Sequence, residues 1–301
     1  MAGDGPSGDA APPPDGGGPV DGPAGDGGAG DVQGCDATDD DGPPPRVWGV
    51  TLDRVDQLAD VVESLSRLSS RPTARIVFDE FVPATDYVTA ATQIHAVADV
   101  MGEILDSQYV DQYTVAGYRA RTIEYLDALG SVVDVWEVGN EINGEWLGTT
   151  SDVVDKMTAA YEEVTARGYP TALTLYYNED CWAQASHEVF AWAEANVPAA
   201  MKQSLDYVFF SYYEDDCNDL QPDWPTQFAR LAAMFPNSSI GFGECGTTTA
   251  ASKAAFVTRY YTTTIAEPRY VGGYFWWYFW QDMVPYTKPL WTVLDDAIAS
   301  Q

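Results

Sequence analysis

Two glutamates, Glu141 and Glu244, each follow directly on an apolar run that has the character of a β-strand. The first run reads Val-Asp-Val-Trp-Glu-Val-Gly and leads into Asn140 and Glu141. The second run reads Ile-Gly-Phe-Gly and leads into Glu244, about a hundred residues further along the chain. If both runs are strands of one parallel barrel, their carboxyl ends meet at the same opening, and the two carboxylates can lie a few ångströms apart.

A carboxylate pair at that range suits the cleavage of glycosidic bonds. With carboxyl groups about 5 to 5.5 Å apart, one attacks the anomeric carbon while the other protonates the leaving oxygen. A separation of about 6.5 to 9.5 Å instead leaves room for a water molecule and gives inversion. The sequence leaves both outcomes open, and neither of them requires a cofactor.

The chain from Arg46 onward carries the elements that would position these side chains. Short apolar runs alternate with amphipathic helical stretches, which is the pattern of βα units around a parallel sheet. Eight such runs are present: Val47–Leu52, Arg75–Phe78, Glu103–Asp106, Val133–Gly139, Ala172–Tyr176, Tyr207–Tyr212, Ser239–Gly243 and Gly272–Phe279. We therefore predict an α/β fold, a single (β/α)8 TIM barrel over residues 46–301.

Residues 1–45 have a different composition. They hold 13 of the 26 glycines, 9 of the 19 prolines and ten aspartates, with no Lys or Arg. Such a segment has too little apolar surface to offset the entropy of ordering the chain, so we predict a disordered tail or linker. Its composition resembles that of linkers behind a processed leader or lipid anchor in exported bacterial proteins, which predicts a secreted or surface-tethered protein.

The two glutamate motifs resemble those of the clan A retaining glycoside hydrolases, also called the 4/7 superfamily. The resemblance is carried by Trp136–Glu141 and Ile240–Glu244 and extends over the folded part of the chain. It implies that Glu141 is the acid/base, that Glu244 is the nucleophile and that Asn140 binds the sugar 2-hydroxyl. It implies no particular family within the clan, because the histidines that several families carry near these sites are replaced here by Ser107 and Ser211.

Further site residues follow from the same resemblance. Arg75 matches an arginine that steadies the charge of the nucleophile, and either Tyr212 or Tyr213 matches a tyrosine that hydrogen-bonds it. One of three tryptophans on the eighth run would form the platform beneath the reacting sugar: Trp276, Trp277 or Trp280. The physical chemistry is consistent with these roles, because a neighbouring carboxylate raises the pKa of Glu141 while a guanidinium near Glu244 favours its anion.

Other residues have less specific signals. Three tryptophans in loops after the fourth, fifth and sixth runs could stack on sugar rings: Trp146, Trp182 and Trp224. Three further glutamates compete with the predicted pair, although their positions favour structural or subsite roles: Glu137, Glu145 and Glu214. Cys181 and Cys217 would form a disulfide if their loops are neighbours, and would otherwise be two separate buried thiols.

Charge and composition exclude several partners. The chain has 46 Asp and Glu against 15 Lys and Arg, a formal net charge of -31, which would repel nucleic acid and acidic polysaccharides. Two histidines and four cysteines without a CxxC pair argue against a zinc site. The sequence has no apolar run of about 18 residues, so we expect no membrane span, and we expect a monomer.

The sequence therefore predicts a retaining glycoside hydrolase that cleaves a neutral β-linked polysaccharide internally, with a glucan, mannan or xylan as substrate. Transfer of the glycosyl group to another sugar differs only in the acceptor. The alternative is a barrel that binds carbohydrate but has no catalytic activity.

Overall fold

A computed structural model describes residues 44–301 and contains one closed barrel of eight parallel strands. Each strand pairs with its neighbours in chain order, and the first pairs with the last. The strands are β1 Val47–Leu52, β2 Thr73–Val77, β3 Asp99–Glu103, β4 Val135–Gly139, β5 Thr171–Tyr176, β6 Tyr207–Tyr212, β7 Ser239–Cys245 and β8 Tyr270–Trp276. The predicted fold class is thus confirmed, whereas the predicted tail lies outside the described residues except for Pro44 and Pro45.

Helices connect the strands and cover the outside of the barrel. In the described part of the chain they are α1 Leu58–Ser66, α2 Val88–His95, α3 Val115–Leu129, α4 Thr150–Ala166, α5 Val189–Asn196, α6 Ala199–Ser204, α7 Trp224–Met234, α8 Lys253–Tyr261, α9 Phe279–Met283 and α10 Pro289–Ala299. Short 3₁₀ turns add Ala84–Tyr87, Ser107–Gln112, Ala185–His187 and Glu214–Asp216. Within residues 44–301, none of the helices is long and apolar enough to cross a membrane.

One strand was predicted in the wrong place. The apolar run Glu103–Asp106 was assigned to the third strand, but β3 ends at Glu103, and Ile104 and Leu105 are buried loop residues. The true strand follows the helical stretch almost without a break, and its apolar residues continue the apolar pattern of α2. The sequence therefore gives no visible boundary between helix and strand at this point.

The barrel interior changes from apolar to polar toward the carboxyl ends of the strands. An inner cluster of Met101, Ala172 and Phe209, with Val271 and Phe275, fills the lower part. Two residues further along β3, β5 and β6, and hence on the same face, the side chains are those of Glu103, Thr174 and Ser211. A polar layer thus lies directly beneath the mouth of the barrel.

The loops after β5 and β6 are neighbours and are joined by a disulfide between Cys181 and Cys217, whose Cα atoms are 5.1 Å apart. The alternative of two separate thiols is therefore wrong. Cys245, at the end of β7, is a free and buried thiol whose Sγ lies 2.8 Å from the carbonyl oxygen of Tyr274.

Candidate active site

A cleft of about 390 Å³ opens at the carboxyl ends of the strands. It brings together six of the residues selected from the sequence, namely Asn140, Glu141, Trp146, Tyr213, Glu244 and Trp277. The other lining residues are Asp106, Ser107, Gln108, Tyr176, Asp216 and Tyr278. Glu141 and Glu244 therefore share one cavity.

Glu141 is held at the end of β4 by two serine hydroxyl groups. Ser211 Oγ donates a hydrogen bond to Oε1 at 2.6 Å, and Ser107 Oγ donates to Oε2 at 2.9 Å. The backbone of Glu141 has a φ of 46°, in the left-handed region that non-glycine residues rarely occupy. Such a conformation costs on the order of 1 to 3 kcal/mol and is concentrated at functional sites. The turn thereby directs this carboxyl group into the cleft.

Burial and a neighbouring charge make Glu141 a weak acid. Its side chain is only 8% exposed, and loss of solvation is the main cause that raises its pKa to about 8. The charge of Glu244 raises this pKa further, while the hydrogen bonds from Ser211 and Ser107 oppose the shift because they stabilise the anion. Glu141 therefore holds a proton near neutral pH.

Glu244, at the end of β7, is surrounded by groups that stabilise a negative charge. Arg75 Nη1 lies 2.7 Å from Oε1 as an ion pair, and Asn140 Nδ2 donates to the same oxygen at 2.9 Å. The Tyr213 hydroxyl donates to Oε2 at 2.7 Å. Unlike Glu141, this carboxylate is paired with a fixed cation.

Ser211 contacts both carboxylates and so limits their separation. Its Oγ lies 2.6 Å from Glu141 Oε1 and 3.4 Å from Glu244 Oε2, so these two oxygens are at most about 6 Å apart. That limit applies to one oxygen of each carboxyl group and is consistent with the about 5 to 5.5 Å between the carboxyl groups of retaining glycosidases.

Which of the two tyrosines and which of the three tryptophans reach the cleft depends on the side of the strand that each one faces. Tyr213 reaches the cleft, but the preceding Tyr212 is buried on the opposite side and donates its hydroxyl to the Leu220 carbonyl oxygen at 2.5 Å. Trp277 lines the cleft, with its ring 5.7 Å from the guanidinium carbon of Arg75. Successive side chains point to opposite faces, and this alternation separates each pair of neighbours.

Four tryptophans from the sequence-based selection, Trp276, Trp280, Trp182 and Trp224, do not line the cleft. Trp276 is fully buried and donates to Asp282, whereas Trp280 bonds the Asp56 carbonyl oxygen. Trp182 is 39% exposed but does not line the cleft. Trp224 packs in the aromatic core. Of the loop tryptophans, Trp146 alone lines the cleft, where its Nε1 donates to Ser107 Oγ at 3.1 Å.

The competing glutamates all have structural partners. Glu137 is buried inside the barrel and accepts two hydrogen bonds from Arg75, at 2.7 and 3.2 Å. Glu145 accepts from the backbone of the loop after β5, and Glu214 is paired with Arg259. None of the three lines the cleft.

Sequence reasoning missed several residues of the cleft. Asp106 was assigned to a strand, and the error in β3 hid its position at the cleft. Ser107 and Ser211 occur near positions where several families of the clan carry histidine, but the sequence does not indicate that their hydroxyl groups hydrogen-bond Glu141. The signal for Ser211 was its position at the end of an apolar strand, next to Tyr212. Across residues 44–301 no group of three or more His, Cys, Asp or Glu side chains is arranged to hold a metal ion.

The fold is similar to that of solved structures of Gas2 from Saccharomyces cerevisiae. The chain matches Gas2p in complex with laminaripentaose at a TM-score of 0.58 and 14% sequence identity, over 86% of this chain and 66% of that one. The complex with laminaritriose and laminaritetraose gives a TM-score of 0.56 and 13% identity, over 86% and 65%. The chain thus spans just under two thirds of the length of these proteins. No protein-family model and no curated protein matches its sequence, so the likeness establishes the barrel fold alone.

Proposed function

We propose that the protein is a retaining glycoside hydrolase that acts on a neutral β-linked glucan, with Glu141 as acid/base and Glu244 as nucleophile. The observation that carries this proposal is the Ser211 hydroxyl in contact with both carboxylates, which places one oxygen of Glu141 within about 6 Å of one oxygen of Glu244. The two groups also differ in environment, as an acid and a nucleophile must.

In the first step a Glu244 oxygen attacks the anomeric carbon, and the bond from that carbon to the leaving oxygen breaks as Glu141 donates its proton. The product is a glycosyl ester on Glu244. In the second step a water molecule or a sugar hydroxyl gives its proton to Glu141 and attacks the same carbon, which releases Glu244. Asn140, Tyr213 and Arg75 hold the nucleophile in place.

The charge of the cleft favours a neutral substrate. Its lining includes Asp106 and Asp216 besides the two glutamates, and no Lys or Arg is among the lining residues. An anionic polysaccharide would therefore be repelled. The rings of Trp277 and Trp146 offer flat apolar surfaces to sugar rings. Since solved structures with the same fold bind laminari-oligosaccharides, a β-1,3-glucan is the first substrate to test.

The experiment is incubation of the protein with laminari-oligosaccharides of defined length, followed by analysis of product lengths. We expect shorter products, and products longer than the substrate would identify transfer to a sugar acceptor. Internal cleavage would appear as an early fall in the chain length of soluble β-1,3-glucan. A carboxymethylated β-1,3-glucan is the matched control and should be cleaved much more slowly. Binding without any new product would favour the non-catalytic alternative.

The hydroxyl group of Ser211 lowers the pKa of Glu141. Because it stabilises the Glu141 anion, Ser211→Ala should raise the pKa of Glu141 above the wild-type value of about 8. The alkaline limb of the pH–rate profile should then move to higher pH, and turnover should fall because Glu141 is less firmly oriented. Tyr212→Phe is the matched control, since it removes a neighbouring hydroxyl that bonds the Leu220 carbonyl oxygen instead. An alkaline limb that stays in place in Ser211→Ala would contradict this role.

We also propose that the protein is exported. The disulfide between Cys181 and Cys217 supports this proposal, because disulfides persist mainly in oxidising compartments.

A further inference from the structure

An ionic cluster lies inside the barrel, beneath the cleft. Its centre is Arg75 on β2, which has no solvent exposure and faces three carboxylates, on β3, β4 and β7. The shortest distances are 2.7 Å to Glu137, 2.7 Å to Glu244 and 3.0 Å to Glu103. One guanidinium thus faces three groups that would each be negative if ionised.

The three carboxyl groups are not equally stabilised. Glu244 has Asn140 and Tyr213 as further donors, at 2.9 and 2.7 Å. Glu137 accepts two hydrogen bonds from Arg75 and one from Thr174 Oγ1. Glu103 has no hydrogen-bond partner at either side-chain oxygen. Its contact with Arg75, like that of Glu244, is an ion pair without hydrogen-bond geometry, but Glu103 has no other donor.

Charge balance then determines where a proton must reside. Three buried anions around one cation would leave a net charge of about -2 without solvent, which is strongly unfavourable. Glu103 has the least stabilisation for a negative charge, with 0% exposure and no donor. We propose that Glu103 is kept as a neutral carboxylic acid inside the barrel. The positive charge of Arg75 is then paired with the ionised carboxylates of Glu137 and Glu244.

Burial and three neighbouring carboxylates favour this protonation state, and Arg75 alone opposes it. Burial raises its pKa well above the ordinary value, the charge of Arg75 opposes that shift, and the charges of Glu137, Asp106 and Glu244 add to it. The Tyr118 phenol of α3, whose own pKa is raised mainly by burial, contributes no negative charge near neutral pH. Within the described residues, Arg75 is thus the cation that faces Glu103. The same guanidinium is also paired with Glu137 and Glu244, which accept hydrogen bonds that Glu103 lacks.

A neutral Glu103 makes this residue a positioning group for the site. An ionised Glu103 would compete for the guanidinium and draw Arg75 away from Glu244. This consequence for catalysis rests on the proposed function, whereas the protonation state of Glu103 does not.

Two isosteric variants, Glu103→Gln and Glu137→Gln, test the proposal by infrared spectroscopy at pH 7. We expect the wild-type spectrum to contain the carbonyl stretch of a buried carboxylic acid that is slow to shift in D₂O. That band should disappear in Glu103→Gln and remain in Glu137→Gln, where a carboxylate band should be lost instead. Loss of a carboxylate band in Glu103→Gln would overturn the proposal.

The pH dependence of unfolding gives a second readout that needs no sugar. The unfolded chain ionises Glu103 above about pH 4.3, but the native state keeps the proton, so wild-type stability should fall as pH rises. Relative to Glu103→Gln, the wild-type unfolding constant should increase by about tenfold per pH unit between about pH 5 and 7. A ratio of the two unfolding constants that does not change with pH would overturn the proposal.

If Glu103→Gln does not fold, the infrared test is made on Glu141→Gln instead. The slowly exchanging acid band should persist in that variant, and its absence would overturn the proposal.

Discussion

Glu244→Gly is expected to lower turnover by on the order of 10⁶-fold, the size of loss seen when a covalent nucleophile is removed. The variant lacks the oxygen that attacks the anomeric carbon, and a water molecule in the vacated space is not activated by a base on that face. The barrel should remain folded, because the removed side chain borders the cleft. Turnover of an activated aryl β-glucoside or of laminari-oligosaccharides measures the effect.

Azide distinguishes this role from a general loss of structure. In Glu244→Gly the small anion can occupy the space left by the carboxylate and attack the anomeric carbon once, so the product should be the α-glycosyl azide. In Glu141→Ala azide can attack only after the glycosyl ester has formed, and two inversions should give the β-glycosyl azide. Identical azide products from both variants, or full activity in either one, would exclude these roles.

Glu141→Gln has the second largest expected effect. Turnover of unactivated substrates should fall by about 10² to 10⁴-fold. Glutamine keeps the shape of the side chain but cannot donate a proton to the leaving oxygen. Dinitrophenyl β-glucosides have leaving groups that need no proton. With these substrates the rate of the first step should therefore fall much less. The comparison of the two substrate classes measures the proton transfer separately from binding.

The pH profile gives an independent check on Glu141. Its pKa is raised to about 8, mainly by burial, so the wild type should lose activity at alkaline pH as this proton is released. In Glu141→Gln the alkaline limb should disappear because no proton remains to be lost at that position. Tyr212→Phe should retain the limb. An unchanged alkaline limb in Glu141→Gln would show that another group supplies the proton.

Much of the fold could be predicted because the alternation of apolar runs and helical stretches is strong. β1 and β6 lie where the sequence placed them, since Val47–Leu52 and Tyr207–Tyr212 are apolar and bounded by polar residues. β3 could not be located, because its apolar residues continue those of α2. Periodicity detects an element but not the boundary between two apolar elements in succession.

The candidate site was less predictable than the barrel. The ends of β4 and β7 identify Glu141 and Glu244, because a strand end in a parallel barrel has a defined place in space. The choice between Tyr212 and Tyr213, or among Trp276, Trp277 and Trp280, depends on which face a residue presents at the exit of its strand. For the tryptophans that face is changed by a β-bulge, because the register shift between β1 and β8 adds one residue to β8 before Trp276.

The disulfide between Cys181 and Cys217 has a consequence for the rim of the cleft. Tyr176 stands at the end of β5, while Tyr213 and Asp216 follow β6, and the bond ties the loops behind them together. The bond therefore restricts how far these two loops can move apart before any sugar arrives. A rim preorganised in this way loses less conformational entropy on binding, so more of the contact energy remains available for affinity.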